Sequence, residues 1–331
     1  MKKLLLASTA LVATAGIAAA DDPSHVGAPG AGNISITGYA EIGVIGGDRY
    51  GDEAQFHTDI DVTFSMTGES DGGLAFGASV DLDEAVKANT FDATKQGGEV
   101  YFLAYGPLRL DMGDTDGAYD AALQEVALAG ASIADDETEH SGYNGNSGLD
   151  GTHDGQIARV SYSMAGFTAG LSAEIDDSGV DDPVWGLGLR YVTDFGGTAI
   201  GIGLGYQTVD RDVLADVDLM AISLDATFAN GFRAAINYAE ADIEGQSDNG
   251  TFIGVGVGYT MNALSIGVNY GEYEDWAVNV GAEDASGFGI AATYDLGGGL
   301  AAHVGYGSSD DVDGIGANDE DSYSFGLSMS F

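Results

Sequence analysis

From Asp321 to the end the chain alternates without a break: Tyr323, Phe325, Leu327, Met329 and Phe331 fall on one side, and Ser322, Ser324, Gly326, Ser328 and Ser330 on the other. A period of two with one apolar face and one small-polar face is a β-strand set between two unlike media. The same alternation, bounded by turn signals, predicts sixteen strands. They fall near 33–45, 54–67, 73–84, 97–105, 107–113, 156–165, 166–175 and 183–194. The remainder fall near 197–209, 216–229, 231–243, 251–261, 263–275, 285–295, 299–308 and 321–331. Apolar faces repeat from strand to strand, as in Ile60, Val62, Phe64 and Met66, or Ile200, Ile202, Leu204 and Tyr206.

Connections alternate in length. Gly106-Pro107, Ala165-Gly166, Gly196-Gly197, Asn230-Gly231 and Met261-Asn262 are short, whereas 46–53, 84–97, 176–182, 244–250, 276–284 and 308–320 are longer and polar. One segment, 114–155, exceeds any ordinary connection. Its first part, Ala118 to Leu128, has helical spacing, which would set Tyr119, Leu123 and Val126 against a wall.

At the amino terminus, Lys2 and Lys3 precede an apolar run, the small residues Ala18, Ala19 and Ala20, and then Asp21-Asp22. That order predicts a cleaved secretory leader over 1–20 and a single domain over 21–331. No later stretch approaches the roughly 18 apolar residues of a spanning helix. A chain of such strands in a membrane must close into a barrel, because closure satisfies every backbone group. Aromatics such as Phe167, Tyr191, Phe228, Phe232 and Tyr294 gather near the short turns, where an interfacial girdle belongs. A secreted β-sandwich is the rival architecture, but two sheets rarely need so many strands of this kind.

The chain has 53 acidic residues, 10 basic ones and no cysteine. The charge excludes nucleic acid as a partner, and the missing cysteine excludes thiolate chemistry. There is no GxSxG elbow, no HExxH and no phosphate-cradling glycine loop, and the five histidines lack metal-ligand spacing. The reading is therefore not an enzyme.

In this order, ISITGYAEIGV (34–44), FSMTGESDGGLAFGASV (64–80), RLDMGDTDGAYDAAL (109–123), YDLGGG (294–299) and the terminal phenylalanine strand resemble the Gram-negative general porins. The likeness is strongest to the trimeric porins of purple bacteria and their alphaproteobacterial relatives. The resemblance implies an all-β, sixteen-stranded antiparallel transmembrane barrel whose long third external loop folds into the lumen. It also implies a homotrimer, which the small outer residues Gly38, Ala40 and Ala104 would suit. The location implied is the outer membrane, reached through the periplasm, with lipid and lipopolysaccharide as neighbours and small hydrophilic solutes and cations as cargo.

On this resemblance the constriction residues are Asp114, Asp116, Asp120, Glu125, Asp135, Asp136, Glu137 and Glu139. The family sets arginines on the wall facing such a loop, but here the second strand reads Asp59-Ile60-Asp61. By phase, the pore wall holds Glu41, Asp59, Asp61, Asp81 and Asp111 with Arg109, Arg159, Arg190 and Arg233, and His57 and His303 also point inward. Rings of carboxylate favour cations, so a cation-preferring passive channel is predicted. No cofactor is required. The loop carboxylates Asp114, Asp116 and Asp120, and Asp310, Asp311 and Asp313, are candidate Ca²⁺ ligands, and surface acids could be bridged to lipopolysaccharide by divalent ions. Two alternatives stay open: a surface-binding, adhesin-like barrel, and a substrate-specific channel, for which only Tyr39 and Tyr101 offer inward aromatics.

Overall fold

The computed structural model describes residues 32–83, 98–133, 137–212, 214–276, 278, 284–310 and 319–331. The leader, Asp135, Asp136, Asp311 and Asp313 lie outside the described residues.

Sixteen strands form one closed antiparallel barrel in which every strand pairs with its sequence neighbours and the last pairs with the first. They are β1 Asn33–Gly46, β2 Gln55–Glu69, β3 Ala75–Asp83, β4 Glu99–Tyr105, β5 Leu108–Gly113, β6 Ile157–Met164, β7 Phe167–Glu174 and β8 Val184–Asp194. Then follow β9 Thr198–Val209, β10 Val217–Phe228, β11 Phe232–Ile243, β12 Gly250–Met261, β13 Leu264–Glu274, β14 Ala285–Gly297, β15 Leu300–Asp310 and β16 Glu320–Ser330. Each lies within a few residues of its expected position. Closure runs from Tyr39 opposite Ser330 to Gly46 opposite Tyr323. It is completed by reciprocal bonds between Gly38 and Phe331, at 3.2 and 2.8 Å.

One rim carries the tight turns. Ala165 and Gly166 both have positive φ, 52° and 85°, the geometry that a two-residue turn between right-twisted strands demands. The outer face is apolar and uncovered: Ile36, Leu187, Leu204, Ile222, Val255 and Phe325 are all exposed. Ring pairs brace it at the tight-turn rim, with Phe167 stacked on Tyr191 at 4.1 Å and Phe228 beside Phe232 at 5.9 Å. No helix among the described residues is long and apolar enough to cross a membrane.

The inner face is where apolar residues are buried. Tyr119 and Leu149, from the segment between β5 and β6, pack on Val209, Val217, Leu219, Ala239 and Phe252, and a second cluster joins Val126 and Leu128 to Ala235. Each large side chain so buried contributes roughly 2 kcal/mol.

The assignment of faces gives a direct test. Leu224→Arg, on the outer face of β10, is expected to destabilise folding into lipid vesicles by about 2–4 kcal/mol in urea titrations. Ser65→Arg, on the inner face of β2, should change it by no more than about 0.5 kcal/mol.

Candidate functional site

Residues 114–133 and 137–156 form the two legs of a strap laid along the inner wall. It leaves β5 with the Asp114 amide donating to Glu99 O at 2.9 Å, while the Asp114 carboxylate accepts the Gly98 N–H at 2.8 Å. Arg159 on β6 donates to Asp116 O at 2.8 Å. A short helix, α1 (Ala118–Ala122), follows, and its first amide donates to Ser172 Oγ on β7 at 2.8 Å. Gln124 N donates to Ser223 Oγ on β10 at 2.9 Å, and Ala131 N to Thr293 Oγ1 on β14 at 2.8 Å. His303 on β15 contacts Ala131 O at 2.9 Å, and Ile133 lies over Gly43 and Gly326, at the barrel's closing seam.

The returning leg runs nearer the long-loop rim. Asn269 on β13 donates to Thr138 O at 2.8 Å, Ser141 N to Ser309 Oγ at 2.9 Å, and Tyr273 OH to Tyr143 O at 3.1 Å. Asn237 donates to Asn146. Gln207 on β9 accepts Leu149 N–H at 2.8 Å and donates to Asp150 at 2.7 Å, and Asp150 in turn accepts the Gly117 N–H at 2.7 Å, tying the two legs together. Glu174 on β7 gathers the amides of Gly151, His153 and Gly155 at 2.8–3.0 Å. The buried strap backbone thus finds its partners in the wall's small polar side chains.

Opposite the strap, the inner faces of β1 to β5 carry charge. Glu41 sits directly across from Asp59, and Asp61 across from Asp83. Tyr39 OH donates to Glu41 at 2.7 Å, His57 Nε2 lies 3.3 Å from the same carboxylate, and Thr63 donates to Asp81 at 3.0 Å. Arg109 grips Asp111 through Nε at 2.8 and 2.9 Å and lies over the Phe102 ring at 4.3 Å, while Arg159 approaches Asp111 at 3.6 Å.

A family model described as Gram-negative porin matches residues 7–314. The chain belongs to this family. The porin is 26% identical over 308 residues to a porin of Rhodobacter capsulatus, a match covering 84% of this chain and 94% of that protein. Its fold superposes on a porin structure refined at 1.8 Å with TM-score 0.70 and 21% identity, covering 90% of this chain and 100% of that one. A triple mutant of Rhodopseudomonas blastica porin gives TM-score 0.60 at 20% identity, with the same coverage. The barrel is accordingly one of the Gram-negative outer membrane.

The structure sorts the predicted site residues. Asp116, Asp120, Glu125 and Glu139 are half-buried on the strap, whereas Glu137 is completely buried between the strap and β14–β15 and cannot face the opening. Arg109 and Arg159 meet at Asp111, but Arg190 pairs with Asp225 and Arg233 donates to the strap carbonyl of Leu128, so the four arginines form no single cluster. The expected helix over 118–128 stops at Ala122, since Leu123 turns extended (φ −93°, ψ 154°) to follow the wall. Tyr119, Leu123 and Val126 nonetheless face the wall. Tyr101 points outward and is replaced in the lumen by Phe102, and Ala104, expected outside, shares the Phe102 phase. Among the described residues no three carboxylate or imidazole groups converge as a metal cage, and Asp114 is turned to the Gly98 amide.

Sequence reasoning passed over the strap's anchors. Ser172, Gln207, Ser223, Asn237, Asn269 and Thr293 all have inward phase, and amides on a face otherwise of glycine and alanine were the available signal.

Burial and mutual repulsion perturb the strap acids. Desolvation raises Asp116 and, more strongly, Asp120, whose neighbours Asp116, Asp150 and Glu125 add to it. Desolvation likewise pushes Glu125 and Asp150 up to about 7, against the lowering effect of hydrogen bonds from Tyr143 and from Gly117 and Gln207. An acid with a raised folded-state pKa favours the seated strap below its unfolded value and loses that contribution as pH climbs through about 7. Strap charge therefore grows across neutrality. Hydrogen exchange of strap amides is expected to quicken between about pH 5 and 8, beyond the intrinsic base dependence. In the double variant Glu125→Gln, Asp150→Asn that excess should shrink, Asp116 and Asp120 keeping the remainder.

Proposed function

We propose that the porin is a water-filled passive diffusion channel for small hydrophilic solutes that prefers cations. The observation that carries this reading is the charge of the inner face of β1–β3. It presents Glu41, Asp59, Asp61 and Asp81, and the sequence of these strands contains no lysine or arginine. Facing it, the strap supplies Asp116, Asp120, Glu125 and Glu139. The wall acids attract a permeating cation and repel an anion, and the strap acids join them increasingly as their protons leave across neutrality. The range of that effect is a Debye length of about 8 Å at physiological salt.

The proposal extends to assembly as a homotrimer, supported by the low relief of Gly38 and Ala40 on the outer face of β1. Lipopolysaccharide is the proposed outer-leaflet neighbour, supported by the outward acids Asp218 and Glu272, bonded by Tyr206 and Tyr270, and Glu240, bonded by Asn249, toward the long-loop rim.

In a planar bilayer with a tenfold KCl gradient, the reversal potential is expected on the cation-selective side, and the preference should weaken as salt rises. Asp59→Asn together with Asp61→Asn should reduce it at low salt. Anion preference, or no preference at low salt, overturns the cation reading; absence of any steady open current overturns the channel itself.

A further inference from the structure

We infer that the width of the opening is set from behind the strap: the lumen-phase glycines of β8–β15 are positioning residues that fix how far the strap stands out from the wall. The inference rests on the channel reading above and adds to it the residues that determine sieving.

The glycines occupy one face only. In β12, Gly254, Gly256 and Gly258 alternate with outward Val255 and Val257, and in β8 and β9 Gly186, Gly188, Gly203 and Gly205 alternate with outward leucines and isoleucine. Glycine weakens a strand interior, so a one-sided stripe calls for something that approaches the backbone closely. That something is the strap main chain. A Cβ on Gly188 would overlap Ala118 O, on Gly203 Ala122 O, on Gly256 Val126 O, on Gly267 Ala129 O and on Gly289 Glu137 O, each closer than 3.0 Å. The contact is reciprocal. Strap residue Gly130 lies against Ala291 O, and Gly142 against Gly271 O and Gly287 N, with equally little room.

At these glycines strap backbone rests on wall backbone with nothing between them, while side chains fill the interface elsewhere, as at Tyr119, Leu149 and Gln207. The strap is part of the opening's rim, so its standoff from the wall subtracts directly from the width left in front of it. On β1–β3, where the inner face holds Tyr39, Glu41, His57, Asp59 and Asp61, side chains fill the corresponding depth. No residue facing the opening has to change for its width to change; a methyl group placed under the strap would do it.

The test uses full-length porin carrying Gly256→Ala, Gly267→Ala or Gly289→Ala, singly and combined, with folding followed by heat-modifiable gel migration. Single-channel conductance and liposome-swelling rates with sugars of increasing size are then read. Each single variant should fold and conduct less. The combined variant should fall by roughly twofold in conductance, and its flux of larger sugars should fall more steeply than that of small ones. A merely structural role would lower heat stability and leave the size cut-off where it was, and that result overturns the inference. So does a folded variant that conducts as the parent does, or more. If the combined variant does not fold, the single variants are judged by the same criterion. An unmodified porin without conductance refutes the channel reading instead, a result distinct from all of these.

Discussion

A peptide group in hydrocarbon has no water to turn to, so each must be satisfied within the protein. In this chain the requirement is met by the seam between β1 and β16, where eight residue pairs and the reciprocal bonds of Gly38 and Phe331 remove the last open edges. Everything else depends on that closure. It creates an outside, where leucine, isoleucine and valine face lipid, and an inside, where the chain's surplus of acid can remain in water. A barrel left open at the seam would expose two long strand edges, an invitation to pair with other chains.

Closure also creates a difficulty that the strap has to solve. Two strap legs of mostly irregular backbone, 114–133 and 137–156, are carried into a tube whose wall has already used its own amides and carbonyls. The wall answers with side chains rather than main chain. Serine and threonine hydroxyls accept strap amides, asparagines donate to strap acceptors, Gln207 does both, and Glu174 collects three N–H groups. One such bond nets only about 1 kcal/mol, so the strap's position is a collective result and not the work of one latch.

Much of this was legible in the sequence, for a physical reason. Side-chain alternation is imposed separately on each strand by two solvents, so every strand reports its own phase, and elements such as β9 and β16 could be read without reference to the others. The reading failed where that signal was thin. β4 is short and has bulky residues on both faces, Tyr101 and Leu103 outside and Phe102 inside, so alternation could not say which ring was wet. It failed again in the strap, where helical spacing over Ala118–Leu128 reflected a wall on one side, not a continuing helix. Arg190 and Arg233 have the expected phase, yet one is held by Asp225 and the other by the strap, because phase gives the side of the sheet and not the partner. The restriction of glycine to inner positions along β8–β15 was also visible in the alternation and pointed to the strap.

The out-and-back course of the strap divides the gene product as well as the lumen. The charged wall comes from β1 to β5, a continuous stretch that precedes the strap, and the surface on which the strap lies comes mostly from β7 to β15, which follow it. Attraction of a solute and physical room for it are thus written in two separate blocks of one chain. Substitution in the first can retune affinity for charge while the second holds the bore constant, and the reverse is equally open. A single polypeptide has in this way two nearly independent adjustments, one electrical and one mechanical.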